Sequence, residues 1–222
     1  MNLPDLLMDL YRALLRAYGH RGWWPGDSPF EVMVGAVLTQ RTNWQNVRRA
    51  ISALKAEGAL DATSIATMDA GRLQELIRPA GYYRQKAARL KAMASWLVRR
   101  AGGDPERLAD VPTDSLRREL LALRGIGPET ADSILLYALA RPAFVVDAYT
   151  KRLVVRHQLL GPECDYFELK ELFELNLPED VELYKDYHAQ LVEVGKRHCR
   201  SVPVCAGCPA RQALGDPVEL CE

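Results

Sequence analysis

Apolar residues recur at steps of three and four along nearly the whole chain, a spacing that builds helices and leaves little room for strands. Leu3, Leu7, Leu10, Leu14 and Leu15 form one such stripe, Val47, Ile51 and Leu54 a second, and Leu90, Met93, Trp96 and Leu97 a third. The pattern continues over 113–123, 128–139, 147–158, 166–175 and 181–197. Turn chemistry separates the stripes, at Gly22 to Ser28, Gly102-Gly103-Asp104-Pro105, Arg141-Pro142 and Gly161-Pro162. Ser28 or Asp27 is placed to cap the helix beginning near Phe30, and Thr113 opens another. The reading is an all-α chain of about ten short helices, with no internal repeat and no low-complexity tract.

At 222 residues, 48% hydrophobic and 26% charged, the chain has enough apolar surface for a real core and is not a disordered polyelectrolyte. No apolar run approaches the ~20 residues of a membrane helix. The first fifteen residues mix Asp5 and Asp9 among leucines and do not read as a signal peptide, so a cytoplasmic protein is expected. Lys and Arg number 29, as do Asp and Glu, but a polyanion responds to how charge is distributed. Arg41, Arg48, Arg49 and Lys55 stand in an acid-free run, as do Arg84, Lys86, Arg89, Lys91, Arg99 and Arg100, and again Lys196, Arg197, Arg200 and Arg211. Seven acids gather between Cys164 and Tyr184 against Lys170 alone. That division suits one face turned to nucleic acid and another turned away, although solvated helix faces produce the same runs.

Two short segments carry chemistry. In Leu120-Leu121-Ala122-Leu123-Arg124-Gly125-Ile126-Gly127-Pro128-Glu129-Thr130-Ala131-Asp132, one amphipathic helix passes to the next through a glycine turn. Gly125 and Gly127 can adopt positive φ, Ile126 can pack down between the helices, and Pro128 suits a first helical position. The exposed amides of such a hairpin fit a phosphate, and an ordinary αα-corner is the alternative. Downstream, Asp147 follows the apolar stretch Ala143-Phe144-Val145-Val146 at a helix start. It can cap that helix and pair with Lys151. It can also stabilise positive charge developing on a sugar ring, and the two roles are compatible.

Four of the five cysteines, Cys199, Cys205, Cys208 and Cys221, fall in the last 24 residues. In a reducing compartment that clustering points to a metal rather than to disulfides. A zinc site with four thiolates, or with three and His198, is one outcome, and unliganded thiols are another.

Together these residues resemble the endonuclease III branch of the helix-hairpin-helix (HhH-GPD) DNA glycosylases. The hairpin Leu123 to Ala131, Pro142 and Val146-Asp147 match the family pattern. Phe30 to Arg41 resembles its apolar helix ending in Gln, and Gly81-Tyr82-Tyr83-Arg84-Gln85-Lys86-Ala87 resembles its Gly-aromatic-x-x-Lys-Ala helix start. The resemblance implies a two-domain all-α fold. A six-helix barrel domain would cover 27–142, with the hairpin at about 115–139. Residues 1–26 and 143–222 would form a helical iron–sulfur cluster domain, with the cluster loop at 199–221. It also implies a partner: double-stranded DNA containing a damaged base, with no membrane and no obligate protein partner. A monomer is expected because no apolar seam is evident.

In that resemblance Gln40 fills the gap left by an extruded nucleotide. Arg41, Arg84, Lys86, Gly125, Ile126, Gly127, Lys151 and Arg152 contact DNA, Asp147 is the catalytic carboxylate, and Cys199, Cys205, Cys208 and Cys221 hold a [4Fe–4S] cluster, zinc being the alternative. Two departures stand out. Bifunctional members carry Lys immediately before the hairpin Thr-Ala, where its amine forms a Schiff base with the sugar; this chain has Glu129. A monofunctional enzyme is therefore expected, closest in style to the family's alkylpurine glycosylases such as those removing 3-methyladenine, with Glu129 orienting water or simply placed in a first turn. Trp23, Trp24, Trp44, Tyr82 and Tyr83 are its candidate pocket walls or else core. The cysteine spacing is also altered, five residues then twelve at the outer gaps where the family has six and five. An oxidised-pyrimidine glycosylase with abasic-site lyase activity and a non-catalytic damage-binding protein are the competing readings.

Overall fold

A computed structural model describes residues 2–218. All regular structure among them is helical, in twelve α-helices with a few short 3-10 and π turns, and the chain divides into two compact units, residues 24–141 and residues 1–23 with 142–222.

The 24–141 unit is built around α2 (Pro29–Leu38). Apart from Glu31, which pairs with Lys55, its sequence is apolar on every side, and such a helix has to be enclosed; Phe30 through Leu38 are all buried. Ser28 caps it, Oγ accepting from Glu31 N at 3.2 Å. Around it pack α3 (Trp44–Ala56), α6 (Tyr83–Ala101), α8 (Pro128–Ser133) and the wider helical turn Ile134–Ala138 that continues α8. Two short helices, α4 (Ala62–Thr67) and α5 (Ala70–Leu76), lie against α6. Helix α7 (Thr113–Leu121) leads into the hairpin and is braced to α8 by Arg117, whose Nε and Nη2 donate to the two oxygens of fully buried Asp132 at 2.7 and 3.0 Å.

The other unit combines α1 (Leu3–Tyr18), α9 (Ala148–Arg156), α10 (Tyr166–Glu174), α11 (Val181–Arg197) and α12 (Pro209–Leu214). Leu7, Leu10 and Leu14, one face of the first leucine stripe, are completely buried. Phe144 stacks on Phe173 with ring centroids 4.3 Å apart, and the Tyr187 hydroxyl donates to Leu7 O at 2.8 Å. Phe144, Val145 and Val146 are thus held in the core, which fixes where Asp147 emerges.

Periodicity does not reveal α4, α5 and α12, because six or seven residues make too few turns for a stripe. The caps Asp61 and Asp69, each accepting a backbone N–H three residues on, were the available signal for the first two.

Asp132→Ala would remove the fully buried carboxylate through which Arg117 joins the two helices. We expect it to lower the unfolding free energy by about 3 kcal/mol, read from urea denaturation of the variant against wild type.

Candidate functional site

The hairpin turn runs from Leu123 to Gly127. Gly125 has φ 87°, and a Cβ there would meet Arg89 Nε at 2.4 Å, so both backbone and space require glycine. Gly127 differs from expectation: its backbone is extended, φ −90° and ψ 177°, because it serves as the residue preceding α8 rather than as a left-handed turn. Ile126 is buried, and its N–H is consumed by Leu123 O at 3.0 Å, so it closes the turn instead of facing outward. Among the described residues the N–H groups of Gly125 and Gly127 find no acceptor. Glu129 is exposed in the first turn of α8.

Gln40 rests on this hairpin. Its Nε2 donates to Thr130 Oγ1 at 2.9 Å and to Gly125 O at 3.2 Å, and its Oε1 accepts from Arg89 Nη1. Arg41 beside it is exposed and left-handed, φ 53°. A second loop in the same unit carries Tyr82, 58% exposed with φ 45°, and exposed Arg84. Lys86, expected on DNA, is instead 1% exposed. Its ammonium donates at 2.8 Å to Leu38 O, where α2 ends, and at 2.8 Å to Ala80 O, just before the Tyr82 loop. It cannot reach a phosphate, and what it does is tie the two loops together. Burial, with a smaller contribution from the Arg89 charge, pushes its pKa down to about 8.

Asp147 caps α9. Its Oδ1 accepts from Thr150 N at 2.8 Å and Thr150 Oγ1 at 2.9 Å, and its side chain is 13% exposed. The anticipated pairing with Lys151 does not form: the Lys151 ammonium donates to Cys164 O at 2.6 Å, across the loop after α9. Arg152 donates to Cys199 O at 2.8 Å and lies over the Tyr149 ring, so it braces the cysteine loop. His188, which the sequence reading passed over, faces Asp147 Oδ2 with Nε2 at 3.9 Å. No local signal marked it, since it is one of several polar residues on α11.

Comparison with known proteins places this geometry. The family model described as HhH-GPD superfamily base excision DNA repair protein matches residues 34–179, a span holding both the hairpin and Asp147. The chain belongs to this superfamily. A Methanocaldococcus jannaschii protein named provisionally as a DNA repair glycosylase is 49% identical over 212 residues, 95% of this chain and 96% of that one. Endonuclease III of Thermotoga maritima is 36% identical over 187 residues, 81% of this chain and 79% of its own. Among solved structures, that of the H. pylori 3-methyladenine DNA glycosylase bound to 1,N6-ethenoadenine superposes with TM-score 0.74 at 30% identity, covering 89% and 98% of the two chains.

In this HhH-GPD chain the five aromatic residues considered for a pocket all retain exposure. Trp24 meets Trp44 edge-on, centroids 5.6 Å apart, and Tyr137 at 5.4 Å. Gly35 lets Trp24 approach α2, since a Cβ there would meet its Nε1 at 3.0 Å. Trp23 lies beneath Lys196, whose ammonium is 5.6 Å from the ring. A cavity of about 410 Å³ beside Trp23 is lined by Asp180, Glu182 and Asp186 together with Lys185 and His20, so carboxylates outnumber cations there.

Cys199 follows α11, and Cys208 precedes α12. Arg156 donates to Cys199 Sγ at 3.2 Å. Burial pushes the Cys208 thiol up, and Cys199 and Cys205 add to the shift. Leu214, where the family spacing would put a fourth thiolate, ends α12, and Cys221 lies outside the described residues. Among the described residues no group of three or more His, Cys, Asp or Glu side chains is gathered closely enough to hold a metal ion. No helix of the described chain is long and apolar enough to cross a membrane.

Lys86 has a distinct pH signature. The unfolded chain keeps its proton to about 10.5 and the folded chain releases it near 8, so between these values the unfolded state binds more protons and rising pH favours folding. The stability of wild type relative to Lys86→Met is therefore expected to rise between pH 8 and 10.5, measured by urea unfolding at several pH values in that interval.

Proposed function

We propose that this glycosylase is monofunctional and hydrolyses the N-glycosidic bond of an alkylated purine, such as 3-methyladenine, in duplex DNA. The observation that carries the reading is Glu129: an exposed carboxylate stands at the hairpin position where a bifunctional relative uses an amine, and a carboxylate cannot form an imine with C1′. The Trp24, Trp44 and Tyr137 cluster supports the substrate class, because electron-rich ring faces favour a cationic alkylated base. So does the 30% identity to a 3-methyladenine glycosylase.

In this reading the Gly125 and Gly127 amides hold a backbone phosphate, and Arg41 and Arg84 add charge along the duplex. Extruding the nucleotide leaves a gap that Gln40 and the exposed Tyr82 ring fill. The C1′–N bond then breaks with its electron pair leaving on the purine, so a cationic base departs neutral. Asp147 stabilises the positive charge that develops on the sugar. Water adds to C1′ and its proton passes to the carboxylate.

We further infer that Cys199, Cys205, Cys208 and Cys221 hold a [4Fe–4S] cluster with a structural task, zinc being the alternative. The all-sulfur donor set and the Arg156 hydrogen bond to Cys199 Sγ support it. The described thiols do not converge on one point, so no step of the reaction is routed through this group. Iron with broad visible absorbance in the purified protein is the expected result, and stoichiometric zinc in a colourless protein would replace it.

Labelled duplexes carrying methylated purines, oxidised pyrimidines, uracil or mismatches test the activity directly. Strand breaks on methylated purine that appear only after alkali are expected. Breaks without alkali on an oxidised pyrimidine would establish the second reading, which the likeness to endonuclease III favours. Binding without breaks in either condition would identify a non-catalytic damage binder. Asp147→Asn is expected to bind the lesion duplex like wild type while losing at least about a hundredfold in single-turnover excision.

A further inference from the structure

Asp147 uses one carboxylate oxygen to cap α9, and the other faces a buried imidazole. Oδ1 takes both hydrogen bonds from Thr150, whereas Oδ2 lies 3.9 Å from His188 Nε2. His188 is 5% exposed and belongs to α11, which packs against α9. The spacing of these helices is set by a glycine: a Cβ on Gly195 would come within 2.4–2.6 Å of Tyr149 ring and Cβ atoms, so only glycine lets α9 come this close. The approach of His188 to Asp147 is thus built into the packing of two helices rather than left to a mobile side chain.

We propose that His188 is a positioning residue for Asp147, its Nε2–H orienting Oδ2 and closing that side of the carboxylate to water. A neutral imidazole carries one donor and one acceptor, and an adjacent anionic oxygen selects the tautomer with hydrogen on Nε2. Burial holds the His188 imidazole below its ordinary range, the Lys196 charge on the same helix pushes the same way, and Asp147 on α9 opposes both. At 3.9 Å the contact is longer than a hydrogen bond, as contacts to catalytic groups often are before substrate binds. Thr150 already holds Oδ1, and a shortened His188 contact would hold Oδ2 as well while positive charge develops on the sugar. The inference rests on the reading of Asp147 as the group that acts on that sugar.

The test has two arms. In the first, histidine ring nitrogens are labelled with 15N, and His188 is titrated by NMR in wild type and in Asp147→Asn. Asp147 favours the imidazolium, so its replacement is expected to move the His188 midpoint downward and to lower the Nε2–H population. An unmoved midpoint with an unchanged tautomer overturns the proposal, whatever the enzyme does.

In the second arm, His188→Leu is expected to slow single-turnover excision about ten- to hundredfold, the range for a misplaced group. The dissociation constant for the lesion duplex should stay within about twofold of wild type. His188→Gln, which restores an N–H donor, should recover most of the rate. If Asp147→Asn is inactive while His188→Leu excises at the wild-type rate, the positioning role alone falls. Should Asp147→Asn itself excise at the wild-type rate, the catalytic reading of Asp147 fails and takes the positioning role with it. Thermal melts set the temperature for the rate comparison; if His188→Leu does not fold, the NMR arm decides.

Discussion

The Lys86 ammonium lies 2.8 Å from each of two carbonyl oxygens, those of Leu38 and Ala80, and the residue is almost wholly shut off from solvent. Removing a charge from water is expensive, and the depressed pKa records that expense. In return, the end of the central helix α2 and the segment before Tyr82 are fixed relative to each other. Gln40 extends the connection from the first of these loops to Thr130 and Gly125 in the hairpin. One buried cation and one amide therefore register three separated stretches of chain that together carry Arg41, Tyr82, Arg84 and the hairpin amides.

The same local device recurs in each of the two units. Asp147 and the hairpin both place their functional groups at helix starts, where backbone N–H groups have no partner within the helix. At α9 the carboxylate itself satisfies one of those groups, Oδ1 accepting from the Thr150 N–H. At α8 the start is Pro128, with no side-chain cap, which leaves the preceding turn open to an external anion. One helix start is thus filled from within by a carboxylate, and the other follows amides that find no acceptor among the described residues.

The helical class, the hairpin and the helix beginning at Asp147 were legible in the sequence because each leaves a local trace: a period, a glycine pair followed by proline, an acid after an apolar run. Relations across the chain leave none. Lys86 occurs in an acid-free run of basic residues and reads as a surface cation, yet Leu38 and Ala80, its actual partners, contribute only backbone oxygens, which no sequence displays. Lys151 sits four residues after Asp147, the usual spacing for a helical ion pair, and is drawn away by a carbonyl thirteen residues on. His188 meets Asp147 only through the packing of α11 on α9. Gly127 belongs to a recognisable motif, but the motif does not say which of its glycines needs the left-handed backbone.

Arg41 and Tyr82 hold non-glycine residues in left-handed backbone, on the two loops that Lys86 joins. Each such residue costs on the order of 1 kcal/mol that glycine would avoid. Selection for heat resistance alone would therefore favour glycine at both sites and, in doing so, erase an arginine and an aromatic ring from the surface. In this protein backbone ease and exposed side chains compete at the same two positions, and a lineage that relaxed the first there would give up the second.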